Sequence, residues 1–116
     1  MTGAAKRKGD SAEREAAALI HQLTGWPARR ALGAGRTDDT GDIVGVPDTT
    51  VQVKNFRDIT RAIRDALEQL PVQQANAGTT HAVAFIRRPG GRWFAVMDLP
   101  TWATWAREAL NNQDTK

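Results

Sequence analysis

The sequence predicts an α/β fold in which one mixed sheet is covered by helices, in the order α-β-β-β-α-β-β-α. Three observations carry that expectation. Short β-rich runs alternate with stretches whose apolar residues recur at helical spacing. The 116 residues suit one hydrophobic core. No internal repeat or linker divides them, so residues 1–116 read as a single domain.

Met1 to Lys8 is small and basic and predicts a flexible arm. A helix follows from Asp10 or Ser11, both good N-caps, to about Leu23. Its Ala16, Leu19, Ile20 and Leu23 share one face, the expected buried stripe. Glu13 lies seven residues before Ile20, on or beside that stripe. It either complements the helix dipole, as Glu15 could do facing water, or looks inward. Gly25 ends the helix, and a strand is expected from about Ala28 to Leu32. Arg29 and Arg30 are adjacent, so one faces inward or along the sheet, where it needs an acid or anion as partner. Residues 33–41 form a polar, Gly-containing loop, either a ligand clamp or a plain connection.

The stretch from Gly41 to Asn55 predicts a β-hairpin. Ile43, Val44 and Val46 make one run, Pro47-Asp48-Thr49-Thr50 the turn, and Val51 and Val53 the second run. Side chains alternate along a strand, so Gln52 and Lys54 point opposite to Val51 and Val53. With Asp42, the hairpin presents a carboxylate, an amide oxygen and an ammonium. The plainer alternative is a strand with one wet face.

Asp58 or Thr60 caps the next helix. Ile59, Ile63, Ala66, Leu67 and Leu70 form its apolar face, and Arg61, Arg64, Asp65 and Glu68 its polar one. Pro71 is expected to end or kink it. Thr80 to Ile86 predicts a central strand, Arg88-Pro89-Gly90-Gly91 a turn, and Trp93 to Met97 another strand. A last helix from Pro100 carries Trp102, Trp105 and Leu110 at helical spacing. They are expected in the core, with a dimer surface as the alternative. Residues 111–116 predict a loose tail.

Composition narrows the chemistry. The absence of cysteine excludes disulfides, zinc–thiolate sites and thiol catalysis. Two histidines leave no room for a His-rich metal cluster, so any metal is expected to be a hard ion held by oxygen. No apolar run approaches membrane-spanning length and no signal-peptide core is visible, which predicts a soluble cytoplasmic protein without membrane contact. Net charge is +3, and the sequence pI is about 10.0. The basic residues cluster at Lys6-Arg7-Lys8, at Arg29-Arg30 with Arg36, at Arg61 with Arg64, and at Arg87-Arg88 with Arg92. Such clusters suit a polyanion.

The run Lys6-Arg7-Lys8-Gly9, followed by Ala12-Glu13-Arg14-Glu15, resembles the opening of archaeal-type Holliday-junction resolvases, a branch of the PD-(D/E)xK nuclease superfamily. Glu13, Arg29 or Arg30, Asp42-Ile43, and Gln52-Val53-Lys54 follow in the family's order, over about Lys6 to Met97. Gln73 and Gln74 and the later strands fit the same layout. Two positions depart from the pattern. The ExK glutamate is Gln52 here, a QxK form that some restriction-type branches use, and the loop serine has no clear counterpart.

The resemblance implies a restriction-endonuclease-like fold and a single nuclease domain that cuts DNA with Mg²⁺, or Mn²⁺ as a substitute. Asp42 would anchor the metal, with Glu13, the Gln52 amide oxygen and the Val53 carbonyl as further ligands. Mg²⁺ favours oxygen ligands at about 2.0–2.1 Å. Replacing Glu by Gln removes one negative charge and predicts weaker metal binding. Lys54 would orient the attacking water or steady developing charge. Lys6, Arg7, Lys8, Arg29, Arg30 and Arg36 would hold DNA backbone. The implied substrate is a four-way junction, cut on two strands by a twofold homodimer. Two alternatives stand beside it: a restriction- or repair-type nuclease acting on linear or flapped DNA, and a catalytically inactive DNA-binding protein on the same scaffold.

Overall fold

A computed structural model describes residues 3–32 and 38–114, with side chains from residue 9 to residue 111 outside that gap. The elements are α1 (Gly3–Thr24), β1 (Arg29–Arg30), β2 (Ile43–Val44), β3 (Thr49–Lys54), α2 (Ile59–Ala77), β4 (His81–Arg88), β5 (Arg92–Val96) and α3 (Leu99–Asp114). The predicted order holds, and the result is an α/β fold with helices flanking a five-stranded mixed sheet. Strand order follows chain order, β1-β2-β3-β4-β5. Only β3 and β4 run parallel, joined by the α2 crossover; the other neighbours are antiparallel.

Alternation along β3 divides the interior in two. Val51 and Val53 join Ile43 and Val83 under Ala12, Ala16 and Ala17 of α1. On the other face, Ala82, Ala84 and Ile86 meet Ala62, Ala66 and Leu70 of α2. The helix surfaces that enter the core are thus largely alanine. Short side chains let the helices lie close to the sheet, and the largest fully buried side chains are only Ile86, Val51 and Thr50.

Several local expectations are corrected. Backbone helix extends back to Gly3, where a flexible arm was expected, and forward to Asp114, through most of the expected loose tail. The buried stripe of α1 is its alanines; Leu23, expected inside, is 75% exposed. Trp102 and Trp105, expected in the core, are 50% and 47% exposed, and among the described side chains of α3 it is Ala106 that is buried. Helical spacing shows which residues share a face, not which face meets the sheet. Pro71 lies inside α2 and does not end it. The helix bond to the Leu67 carbonyl is lost, yet Leu70 and Gln73 on either side are held against the sheet.

Two turns fix how strands enter the sheet. Gly45 has φ +94°, and a Cβ there would sit 2.1 Å from the Pro27 carbonyl oxygen. Only glycine permits that approach. Asp48 (φ 49°) accepts the Thr80 N–H on its carboxylate (2.9 Å) and the His81 N–H on its carbonyl (3.1 Å). These bonds tie the hairpin turn to the start of β4. The Thr80 bonds also hold the Asp48 carboxyl below the usual carboxylate range. At the α1 side, Glu15 accepts from Arg87 Nε (2.8 Å) and Trp93 Nε1 (2.6 Å).

The division between buried and exposed apolar residues has a direct check. Ile86→Ala should cost about 2–5 kcal/mol, whereas Leu23→Ala should change stability by less than about 0.5 kcal/mol. Urea unfolding of the two variants measures both.

Candidate functional site

Asp42 sits at the entry to β2 and is bonded to its neighbours through backbone and side chain. Its N–H donates to the Val51 carbonyl (2.7 Å), and its own carbonyl accepts the Ala31 N–H (2.8 Å). One carboxylate oxygen, Oδ2, accepts the Val53 N–H at 2.8 Å. Gly41 makes the turn possible: at φ +103°, a Cβ would lie 2.8 Å from the Val51 carbonyl oxygen. The carboxylate therefore has a fixed position beside β3.

Its surroundings are acidic and poorly solvated. Burial pushes the Asp42 carboxyl up from its usual 3.8 to about 6. The Val53 N–H opposes that rise, Glu13 and Asp39 add to it by charge repulsion, and Lys54 opposes it by attraction. Glu13, Asp39 and Lys54 thus share one electrostatic neighbourhood with Asp42, although they come from α1, the loop and β3.

The hairpin's polar face is not wet. Gln52 and Lys54 are 5% and 8% exposed, covered by α2. Lys54 Nζ donates to Gln69 Oε1 at 2.8 Å and lies 5.3 Å from the centre of the Phe56 ring. Gln52 Oε1 is buried with no hydrogen-bond partner among the described residues. A buried amide oxygen left unbonded costs free energy and marks an acceptor available to a cation or donor.

The inward arginine is Arg30, and it has found the acids it needs. It donates to Asp10 Oδ1 at 2.9 Å and to Glu13 Oε1 at 3.2 Å. Arg29, its neighbour on the edge strand, is exposed. Arg36 and the side chains of Lys6, Arg7 and Lys8 lie outside the described residues.

Asp39, Gln69 and Asn76 were not singled out by the sequence, and Gln73 was named only as part of the layout that the resemblance implies. Asp39 Oδ2 accepts Gln73 Nε2 (2.8 Å), its Oδ1 accepts the Gly41 N–H (3.0 Å), and its carbonyl accepts Asn76 Nδ2 (2.9 Å). A signal for Gln73 existed: it is three residues after Leu70 and seven after Ala66, on the same helical face. The side-chain bond of Asp39 to the Gly41 N–H is local, but the partners that place it in the site, Gln73 and Asn76, lie more than thirty residues away, so no local pattern marks it.

Among the described residues, no three carboxylates or imidazoles gather closely enough to hold a metal by themselves. The oxygen donors around Asp42 nonetheless suit a hard divalent ion if amide and main-chain oxygens take part. The unbonded Gln52 Oε1 is the observation that fits. Comparison with protein-family models, curated proteins and solved structures returns no match.

The raised Asp42 value predicts a stability effect of definite sign. Between about 4 and 6 the folded chain binds the proton more tightly than the unfolded chain. The penalty is therefore full above about 6 and relieved below about 4. A rise from 3.8 to about 6 corresponds to roughly 3 kcal/mol. Asp42→Asn should accept the same Val53 N–H and, with EDTA present, be more stable than wild type by about 1–3 kcal/mol at pH 8. The gain should vanish by about pH 4, as read by urea unfolding across that range.

Proposed function

We propose that this protein is a divalent-metal-dependent DNA endonuclease with a restriction-endonuclease-like fold. The observation that carries the reading is the convergence on Asp42: a half-buried, backbone-held carboxylate shares its surroundings with Glu13 and Lys54, beside a strand bearing Gln52. The α-β-β-β-α-β-β-α order and the matches at Glu13, Asp42, Gln52 and Lys54 support the same class. Within it, the resemblance favours a Holliday-junction resolvase working as a twofold homodimer.

Asp42, Glu13, the Gln52 amide oxygen and the Val53 carbonyl are the groups that would hold Mg²⁺ or Mn²⁺. When bound, such an ion supplies charge neutralisation and a water acidic enough to act as hydroxide near neutral pH. Asp42 contributes position, because its carboxylate cannot swing away from the Val53 N–H without losing a bond. Its raised affinity for a proton comes chiefly from burial, with Glu13 and Asp39 adding to it by charge repulsion. Lys54 brings positive charge beside the carboxylate, and Gln69 orients its ammonium. That charge would steady a phosphate as negative charge develops on its oxygens. Arg30 neutralises Glu13 in this structure, so metal binding would compete with the Arg30–Glu13 bond.

A second reading is favoured by one observation, glutamine where the resolvase pattern has glutamate. It makes the protein a restriction- or repair-type nuclease on linear or flapped DNA.

Purified protein should nick a synthetic four-way junction in Mg²⁺, and faster in Mn²⁺ if the amide ligand weakens Mg²⁺ binding. Asp42→Ala and Lys54→Ala should each lower the rate by about a hundredfold or more, the scale set by removing one transition-state contact. Equal cutting of plain duplex and junction would favour the second reading. Full activity in Asp42→Ala would reject the site. Junction binding without cleavage at any concentration of either metal would leave a DNA-binding protein.

A further inference from the structure

A groove of about 520 Å³ opens at the C-terminal end of β3. Its walls are Val53 and Lys54, the following Phe56 and Arg57, Arg61 on the first turn of α2, and Gly9 of α1. The chemistry of these walls is unusual for the chain. Arg57 is exposed and makes no hydrogen bond or ion pair with any described residue. Arg61 has a side chain 64% exposed and only a loose contact, 3.7 Å, with Asp65. Its guanidinium lies 5.5 Å from the centre of the Phe56 ring, against which Lys54 also lies at 5.3 Å. An aromatic face holds a cation without cancelling its charge as a carboxylate would. Asp58, the acid on the rim, gives one oxygen to the Arg61 N–H at 3.1 Å as helix cap. Gly9, the α1 residue that lines the groove, contributes no side chain to it.

We propose that this groove binds the sugar–phosphate backbone of one DNA strand, with Arg57 and Arg61 as its phosphate contacts. The proposal rests on the nuclease reading for its choice of polyanion and adds where the strand lies. Arg30, one of the cations expected to hold DNA, is occupied by Asp10 and Glu13, whereas Arg57 and Arg61 have no close carboxylate partner among the described residues. The groove begins at Val53, whose N–H holds the Asp42 carboxylate. A strand lying in it therefore runs directly to the candidate site. Its cations project from a loop and a helix surface and contact phosphate oxygens, which carry no sequence information.

The test is made in EDTA on the Asp42→Asn background, so that binding is read without turnover. A labelled four-way junction is titrated by fluorescence anisotropy over a series of NaCl concentrations. Arg57→Ala with Arg61→Ala should weaken binding about tenfold or more. The same pair should flatten the slope of log K against log salt by about 2, because each lost phosphate contact removes roughly 0.9. Arg88→Ala with Arg92→Ala, which removes the same charge from the β4–β5 turn, should leave the slope within about 0.5 of the parent. Arg57→Gln with Arg61→Gln should reproduce the first result at an unchanged melting temperature, separating contact loss from misfolding. Equal slopes in the two alanine pairs, or no binding by the parent, would overturn the proposal. A flattened slope in a chain that never cleaves DNA would leave the groove standing and reject the nuclease. Cleavage by the unmutated chain with equal slopes would do the reverse.

Discussion

The bond between the Asp42 carboxylate and the Val53 N–H is the constraint on which the site depends. It is made at the end of a short hairpin in which β2 has only two residues, too few to fix a side chain by ladder hydrogen bonds alone. Asp42 supplies what the ladder lacks: its own N–H and carbonyl link it to β3 and to the residue after β1. The same group that closes the sheet edge is thereby withdrawn from water, and the elevated proton affinity follows from that withdrawal. Fold and candidate chemistry are connected through one side chain.

Around it, polar groups from distant parts of the chain are held by specific partners. Arg30 draws Asp10 and Glu13 of α1 towards β1. Gln69 and Gln73, one helical turn apart on α2, reach Lys54 and Asp39. The layer between β3 and α2 is therefore partly polar where most such layers are greasy. It remains incomplete, because Gln52 Oε1 and Gln73 Oε1 are both buried without a partner among the described residues. Natural proteins leave few such atoms unbonded, and a functional site is a recurrent reason for the exceptions.

How much of this was visible in the sequence depends on the range over which each feature is decided. Element order came from local patterns, and those were strong: Asp58 does cap α2, and the Ile43-to-Val51 pairing is a hairpin. The demand that an inward arginine find an acid is met by Arg30. The failures share a cause. Leu23, Trp102 and Trp105 obey helical spacing, but the faces turned to the sheet are those with alanine, whose short side chains let helix and sheet lie close. Gln52 and Lys54 alternate with valines as a solvated face would, yet α2 closes over them. Asp39 owes its place to Gln73 and Asn76, contacts that no local pattern encodes.

The surface position of the large aromatics has an optical consequence. Trp26, Trp102 and Trp105 are all exposed, and Trp93 is only partly covered. An indole already half in water changes its emission less on unfolding than a fully buried one does. Intrinsic fluorescence should therefore be a poor reporter of denaturation for this molecule, and far-ultraviolet circular dichroism, fed by three helices, the better one.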